Sequence, residues 1–395
     1  MANGGRPGPL LLLLFAAGAA LAHQSYWLYL LVNDPDPALA AAQRAFDAEL
    51  RGEDSADSWS RARQLAPRSA FIGVHTALAE ERRGQTAAAE RILLETERLN
   101  SLWLPRWSLA SFYLRNHRPA EDARWGRLAL DRSNAQVRPA LFSLLEQAGV
   151  PPAVWLSWCG SRPDVLSSAL DYLAAETDRA PDLAAATRIL ASLEPGSAPG
   201  LWRSSLLTAC SRLILAGQGG AASQAWNSLA ARRMVGGQPV SGRNRIGNPA
   251  FADPIDGEAF NWRYRALPGV SRTFDPQSRS VRIRIDGSQP EACTLLSTPV
   301  WIPPGCRHRF SCRYRVEGFE TAASGPVWTL AQASSEPLSP TAPNSSSEWR
   351  RLSFEIPAAG SGRVSSLSLT LVRRRGFIRA SGSVEIREPV LETLP

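Results

Sequence analysis

Lysine is absent. All 44 basic residues of the 395 are arginine, set against 36 acidic residues for a formal charge of +8. A GC-rich coding sequence produces the same arginine bias. The arginines are also dispersed, whereas nucleic-acid binding concentrates cations on one face, so no nucleic-acid partner is expected. The one tight run, Arg373, Arg374 and Arg375, reads as a solvated strand end. Metal-binding spacings are missing too. Four histidines form no ligand set with Cys159, Cys210, Cys293, Cys306 and Cys312, and no cysteine pair is spaced C-x-x-C, which excludes the common structural zinc sites. One disulfide among Cys293, Cys306 and Cys312 stays open if the compartment is oxidising.

Catalytic signatures are lacking as well. There is no G-x-S-x-G elbow, no phosphate-binding P-loop, no dinucleotide fingerprint and no H-E-x-x-H. Glycoside hydrolysis needs two carboxylates about 5–10 Å apart in a cleft. Asp256, Glu258, Asp286 and Glu291 lie near turns, where acids usually cap or stay solvated. No catalytic residue, cofactor or metal is assigned, and the chain reads as non-enzymatic. "DPIDGE" resembles a calcium-friendly turn, but three acids in a surface loop read as solvated.

Long apolar runs are confined to the N-terminus, where "PLLLLLFAAGAALAHQSYWLYLLV" extends from Pro9 to Val32. "ALA" before His23 fits a signal-peptide cleavage site, while the run is also long enough to span a bilayer. Residues 1–33 are therefore a signal peptide or a transmembrane anchor. Arg6 upstream and "NDPDP" downstream place the bulk of the chain outside the cytoplasm. It is inner-membrane anchored and periplasmic, or secreted if cleaved after Ala22.

Residues 37–233 carry apolar residues at helical spacing. "DPALAAAQRAFDAELRG" opens on an Asp-Pro cap and ends at Gly52. Two successive units, ending at Asn100 and Asn134, each read as a helix, a turn at Gly84 or near Asn116, and a second helix. A helical hairpin cannot bury its apolar stripe alone, so such units stack. Leu78, Gly84, Ala87 and Ala88 resemble the packing positions of tetratricopeptide repeats, which implies a solenoid that docks proteins. Trp103, Trp107 and Trp125 read as packing between repeats rather than as a peptide groove. Residues 234–245, rich in Gly, Pro and Ser, read as a linker.

From 246 to 395 the period changes to two. "SVRIRIDG" points Val281, Ile283 and Ile285 inward and its arginines outward, and "HRFSCRYRVEG" does the same with Phe310, Cys312, Tyr314 and Val316. Seven or eight strands suit an antiparallel β-sandwich of jelly-roll type, with "SSEPLSPTAPNSSSE" as a polar loop inside it. The fold class is therefore multidomain, α plus β. Sugar binding needs an aromatic face and hydrogen-bonding side chains. Tyr264, Trp301, Trp328 and Arg265 are the ligand-binding candidates, and Trp262 and Trp349 are read as core. The opening "NPAFADPIDGEAFNW" and closing "SVEIREPVLE" resemble the galactose-binding-like jelly rolls of carbohydrate-binding modules. With exported helical repeats the whole is similar to bacterial envelope proteins of exopolysaccharide assembly. That resemblance implies protein partners for the repeats and polysaccharide for the sandwich, with the membrane contacted by the N-terminal segment. The alternatives are an assembly scaffold whose sandwich is only structural, or a polysaccharide-processing hydrolase.

Overall fold

The computed structural model describes residues 36–395, apart from 177, 197, 252–253, 319–325, 333–334, 339–345 and 374–380. The N-terminal membrane or signal segment lies outside these residues. Among those described, no helix is long and apolar enough to cross a membrane. The chain divides into two compact units, one ending at Trp158 and one beginning at Cys159.

The first unit contains α1 (Pro37–Leu50), α2 (Ala56–Leu65), α3 (Ala70–Arg82), α4 (Thr86–Leu99), α5 (Trp103–Arg115), α6 (Pro119–Leu130), α7 (Arg138–Gln147) and α8 (Pro152–Cys159), which runs to its boundary. Asp36 caps α1, its carboxylate accepting from the Ala38 amide at 2.8 Å. α1 with α2, α3 with α4 and α5 with α6 pack as hairpins. Gly84 turns the second hairpin at φ +77°. In the third hairpin His117, not Asn116, takes the left-handed place at φ +55°. It follows the helix cap as Gly84 does, which the sequence spacing had misplaced by one.

The close approach in these hairpins also falls elsewhere than expected. Ala87 is exposed and Leu78 only half-buried, whereas Gly73, Ala77 and Ala89 are buried. A Cβ on Gly73 would sit 2.3 Å from Thr96 Oγ1, so this glycine is what lets α3 and α4 touch. Trp125 is 8% exposed and belongs to the core, while Trp103 and Trp107 pack on each other with centroids 5.5 Å apart. Tetratricopeptide periodicity is thus one reading of an irregular set of helical hairpins.

The second unit opens with α9 (Pro163–Ala174), α10 (Ala180–Ser192), α11 (Pro199–Leu215) and α12 (Gly219–Ala231). Nine strands follow among the described residues: β1 (Val270–Asp275), β2 (Ser280–Ile285), β3 (Ala292–Ile302), β4 (His308–Glu317), β5 (Pro326–Gln332), β6 (Ser335–Leu338), β7 (Ser346–Ile356), β8 (Arg363–Val372) and β9 (Gly382–Thr393). They form two antiparallel sheets, ordered β1-β2-β9-β4-β7 and β3-β8-β5-β6. Both sheets contribute to one core: Val281, Ile283, Phe310, Cys312, Tyr314, Val384 and Ile386 from the first, and Leu295, Leu296, Val300, Trp328, Leu367 and Leu369 from the second. The polar stretch read as one long loop contains β6 and the start of β7. None of the five cysteines forms a disulfide among the described residues.

Residues 234–245, read as a linker, are hydrogen-bonded on both sides. Trp226 Nε1 on α12 donates to the Gln238 carbonyl, and Asn227 pairs with the Val240 backbone in both directions. The Arg245 amide then donates to the Leu391 carbonyl and the Thr393 amide to the Gly242 carbonyl, joining the sandwich's entry to its last strand.

The stretch 248–264 enters the core. Phe251 and Trp262 stack at 5.3 Å, both essentially unexposed, and Trp262 Nε1 donates to the Asn248 carbonyl at 2.7 Å. Asp256 accepts from the Glu258 amide and from Asn261 Nδ2, which closes the loop as a turn.

Candidate functional site

Strand alternation puts every second residue of the five-stranded sheet outward. On β2 these are Ser280, Arg282 and Arg284. On β9 they are Ser383, Glu385 and Arg387. β4 contributes Arg313 and Arg315, and β7 contributes Trp349 and Arg351. A bulge where Glu388 adopts φ +54° resets the alternation, so that Leu391 returns to the core after Ile386.

The register sets Thr273, Arg282, Glu385 and Arg315 side by side across β1, β2, β9 and β4. Glu385, with only 9% of its side chain exposed, accepts from Arg282 Nη2 at 2.7 Å, Arg315 Nη2 at 2.6 Å and Ser280 Oγ at 2.8 Å. Burial alone would push its pKa up, but the hydrogen bonds from Arg282, Ser280 and Arg315 outweigh burial and hold the carboxyl below its usual range. The same bond raises the pKa of Arg282. Ser280, Arg282 and Glu385, together with Ser271, Thr273, Asp275 and Arg284, line an open polar groove of about 410 Å³. Trp349, half-buried, stands on the same face under the Arg387 guanidinium at 3.9 Å and that of Arg315 at 5.2 Å. It is not a core residue as the sequence reading had it, because the β7 alternation turns Leu352 and Phe354 inward and the indole out.

The depressed acid has a stability consequence. A carboxyl whose folded pKa lies below its unfolded value stabilises the fold above the unfolded pKa, near 4.3. That stabilisation is lost as pH falls through the folded value. Glu385→Gln is therefore expected to cost about 1–2 kcal/mol at pH 7, discounted for the partly exposed arginines. The gap to wild type should narrow progressively as urea titrations are taken below pH 4. A gap that does not change as the pH falls would show that the carboxylate's charge is not what the arginines hold.

The four sequence candidates do not converge. Trp328 is 2% exposed, 4.9 Å from Phe310 and 6.3 Å from Trp262, so it is core with no face left for a sugar. Trp301 is half-buried against α12. A Cβ on Gly219 would lie 2.1 Å from its ring and one on Gly362 2.3 Å, so the indole fills a slot between two positions that lack side chains. Tyr264 is 48% exposed beside Phe274 at 5.8 Å, with the Arg272 guanidinium 4.9 Å from its ring. Its neighbour Arg265 is exposed.

The four acids weighed for hydrolysis are separately committed. Asp286 caps a turn through Ser288, whose backbone and hydroxyl hydrogen bonds hold its pKa down. Glu291 pairs with Arg373 at 2.9 Å, Glu258 lies 3.6 Å from Arg203, and Asp256 serves the turn described above. Among the described residues no group of three or more metal-ligating side chains comes together. The sequence reading missed the β2–β9–β4 face. The alternation had turned Arg282 and Arg284 outward, but only the pairing of β2 with β9 brings Glu385 to them.

No family model matches the chain, and no curated protein matches it. Solved structures give distant likenesses. The enzymatically active domain of bacteriophage CBA120 tailspike protein 4 aligns over 38% of this chain and 21% of its own, at 10% identity and TM-score 0.27. TmCBM61, solved in complex with beta-1,4-galactotriose, aligns over 38% of this chain and 99% of its own, at 16% identity and TM-score 0.28. A CBM4 structure aligns over 38% and 99%, at 15% identity and TM-score 0.27. The chain spans only about a fifth of the tailspike domain. At these TM-scores the likenesses establish neither family nor function.

Proposed function

We propose that the protein is a non-enzymatic, exported glycan-binding scaffold whose outward β1–β2–β9–β4–β7 face recognises polysaccharide. Its helical hairpins, read as tetratricopeptide-like, dock protein partners, and its sandwich is read as a jelly roll. It acts at the membrane through its N-terminal segment, anchored or after cleavage, in envelope or exopolysaccharide assembly.

The observation that carries the reading is the open groove of about 410 Å³ lined by hydroxyls and by guanidinium and carboxylate groups in fixed positions. Glu385 orients Arg282 and Arg315 before any ligand arrives, so little side-chain freedom is lost on binding. Hydroxyl-rich ligands need this kind of preset donor and acceptor array. The separate commitments of Asp256, Glu258, Asp286 and Glu291 favour binding over hydrolysis. Release of reducing ends from a bound polymer would reverse that part of the reading.

The test is retention of the full-length protein on a broad polysaccharide panel. Thr273→Ala/Arg282→Ala is expected to weaken retention about tenfold, the loss of a charge-assisted hydrogen bond. Tyr264→Ala/Arg265→Ala is expected to leave it unchanged. The opposite pattern would move the site to the Tyr264 edge, and no retention on any polymer would leave the sandwich as a structural part of an assembly scaffold.

A further inference from the structure

The outward face of the five-stranded sheet carries a row of arginines that its own carboxylates compensate only in part. Arg387 on β9 stands directly opposite Arg313 on β4, and Arg313 directly opposite Arg351 on β7. Neighbouring strands lie about 4.8 Å apart, and like charges facing each other across strands destabilise a sheet. Glu385 does not relieve this row, since its oxygens are engaged by Arg282, Arg315 and Ser280. Asp275 is held by the Gln277 and Ser278 amides and the Ser278 hydroxyl. Among the described residues Arg313 and Arg284 have no carboxylate within ion-pair distance. Arg351 reaches only Ser311 Oγ among the described residues, at 3.5 Å. Arg387 Nε is buried without a hydrogen-bond partner, and its nearest carboxylate is Glu388 at 3.8 Å.

Resting on the glycan reading above, we propose that the ligand of this face is an acidic polysaccharide. Its oxyanions occupy the Arg387–Arg313–Arg351 row and Arg284, and its hydroxyls meet the exposed Ser271 and Thr273. A planar guanidinium presents paired N–H donors that match carboxylate, sulfate or phosphate oxygens. A polymer carrying one such group at intervals lies along the row and removes the repulsion between its members. Single-stranded nucleic acid would need stacking platforms. Trp349 is the one aromatic side chain among the described residues on this face, and a guanidinium already covers its ring.

The experiment compares binding of the full-length protein to polygalacturonate, to its carboxyl-reduced neutral derivative and to a sulfated polysaccharide. Duplex DNA and anionic phosphatidylglycerol vesicles are run alongside. The expected result is binding to polygalacturonate that weakens with salt, and at least about tenfold weaker binding to the reduced polymer. Arg313→Gln/Arg351→Gln should lose about tenfold or more on polygalacturonate, with a denaturation midpoint unchanged or raised because the repulsion is gone. Preference for the sulfated polymer, lost in the same variant, supports the same oxyanion chemistry and identifies its source. Equal binding of the reduced polymer, indifferent to the variant, overturns the acidic assignment while leaving glycan binding intact. Preference for DNA or vesicles overturns it in favour of another polyanion, and a lowered midpoint in the variant shows the row to be structural. Failure to bind any polysaccharide removes the glycan reading itself.

Discussion

Replacing Trp262 with alanine is expected to destabilise residues 159–395 by about 3–5 kcal/mol, the range for deleting a fully buried large aromatic. The side chain is 0% exposed and central: Phe251 stacks on it at 5.3 Å and Trp328 lies at 6.3 Å. Deletion leaves a cavity that these rings cannot close, because both are fixed by other neighbours. It also removes the indole N–H, at 2.7 Å, from the carbonyl of Asn248, a residue 1% exposed, and leaves that oxygen the longer bond from the Phe251 amide at 3.4 Å. Phe251 holds φ +48°, a conformation unfavourable for a bulky residue, and the stack is what holds it there. Trp262→Phe keeps most of the packing and loses the hydrogen bond, and is expected to cost about 1–2 kcal/mol. Urea unfolding followed by circular dichroism measures both. A cost below about 1 kcal/mol for alanine would remove the indole from the core.

Trp301→Ala is expected to cost about 3 kcal/mol, the lower end of the range because the side chain is only half-buried. Retention on glycans should be unchanged. The companion variant Gly219→Ala settles the reason. In an ordinary helix alanine is favoured over glycine by about 1 kcal/mol. Here the added Cβ would lie 2.1 Å from the Trp301 ring, and Gly362 closes the far side of the same indole. Overpacking costs about 1–3 kcal/mol, so the substitution is expected to reverse sign and destabilise. If Trp301→Ala instead lost glycan retention at unchanged stability, the indole would be a ligand platform after all. Thermal unfolding with and without polysaccharide separates the two outcomes.

Local pattern carried much of the architecture. The alternation in Ser280–Ile285 and His308–Glu317 gave the inward residues directly, and the Asp-Pro start of α1 formed the cap it promised. Two kinds of feature were not legible. Bulges carry no composition signal. The one at Glu388 changes which residues of β9 face the core, and the one between Thr294 and Leu296 lets Leu295 and Leu296 both be buried. Pairing across long separations was equally hidden. The groove depends on β2 meeting β9, with Ser280 opposite Arg387, and nothing within either segment specifies that neighbour. Aromatic residues were misassigned for the same reason. Trp328 and Trp349 look alike in sequence, and only the face each strand presents separates a core indole from an outward one.

The strand order also has a kinetic consequence. β9 is made last of the nine, yet it lies between β2 and β4 at the centre of the five-stranded sheet. Until residues 382–393 have left the ribosome, the β1–β2 hairpin and the non-consecutive β4–β7 pair are separate, with the inner edges of β2 and β4 unpaired, and the Arg245 amide lacks its Leu391 acceptor. Closure therefore joins β9 to β4 and to the still more distant β2 in a single late event, a slow step by topology. During synthesis the exposed edges of β2 and β4 are where a nascent chain would mispair with its neighbour.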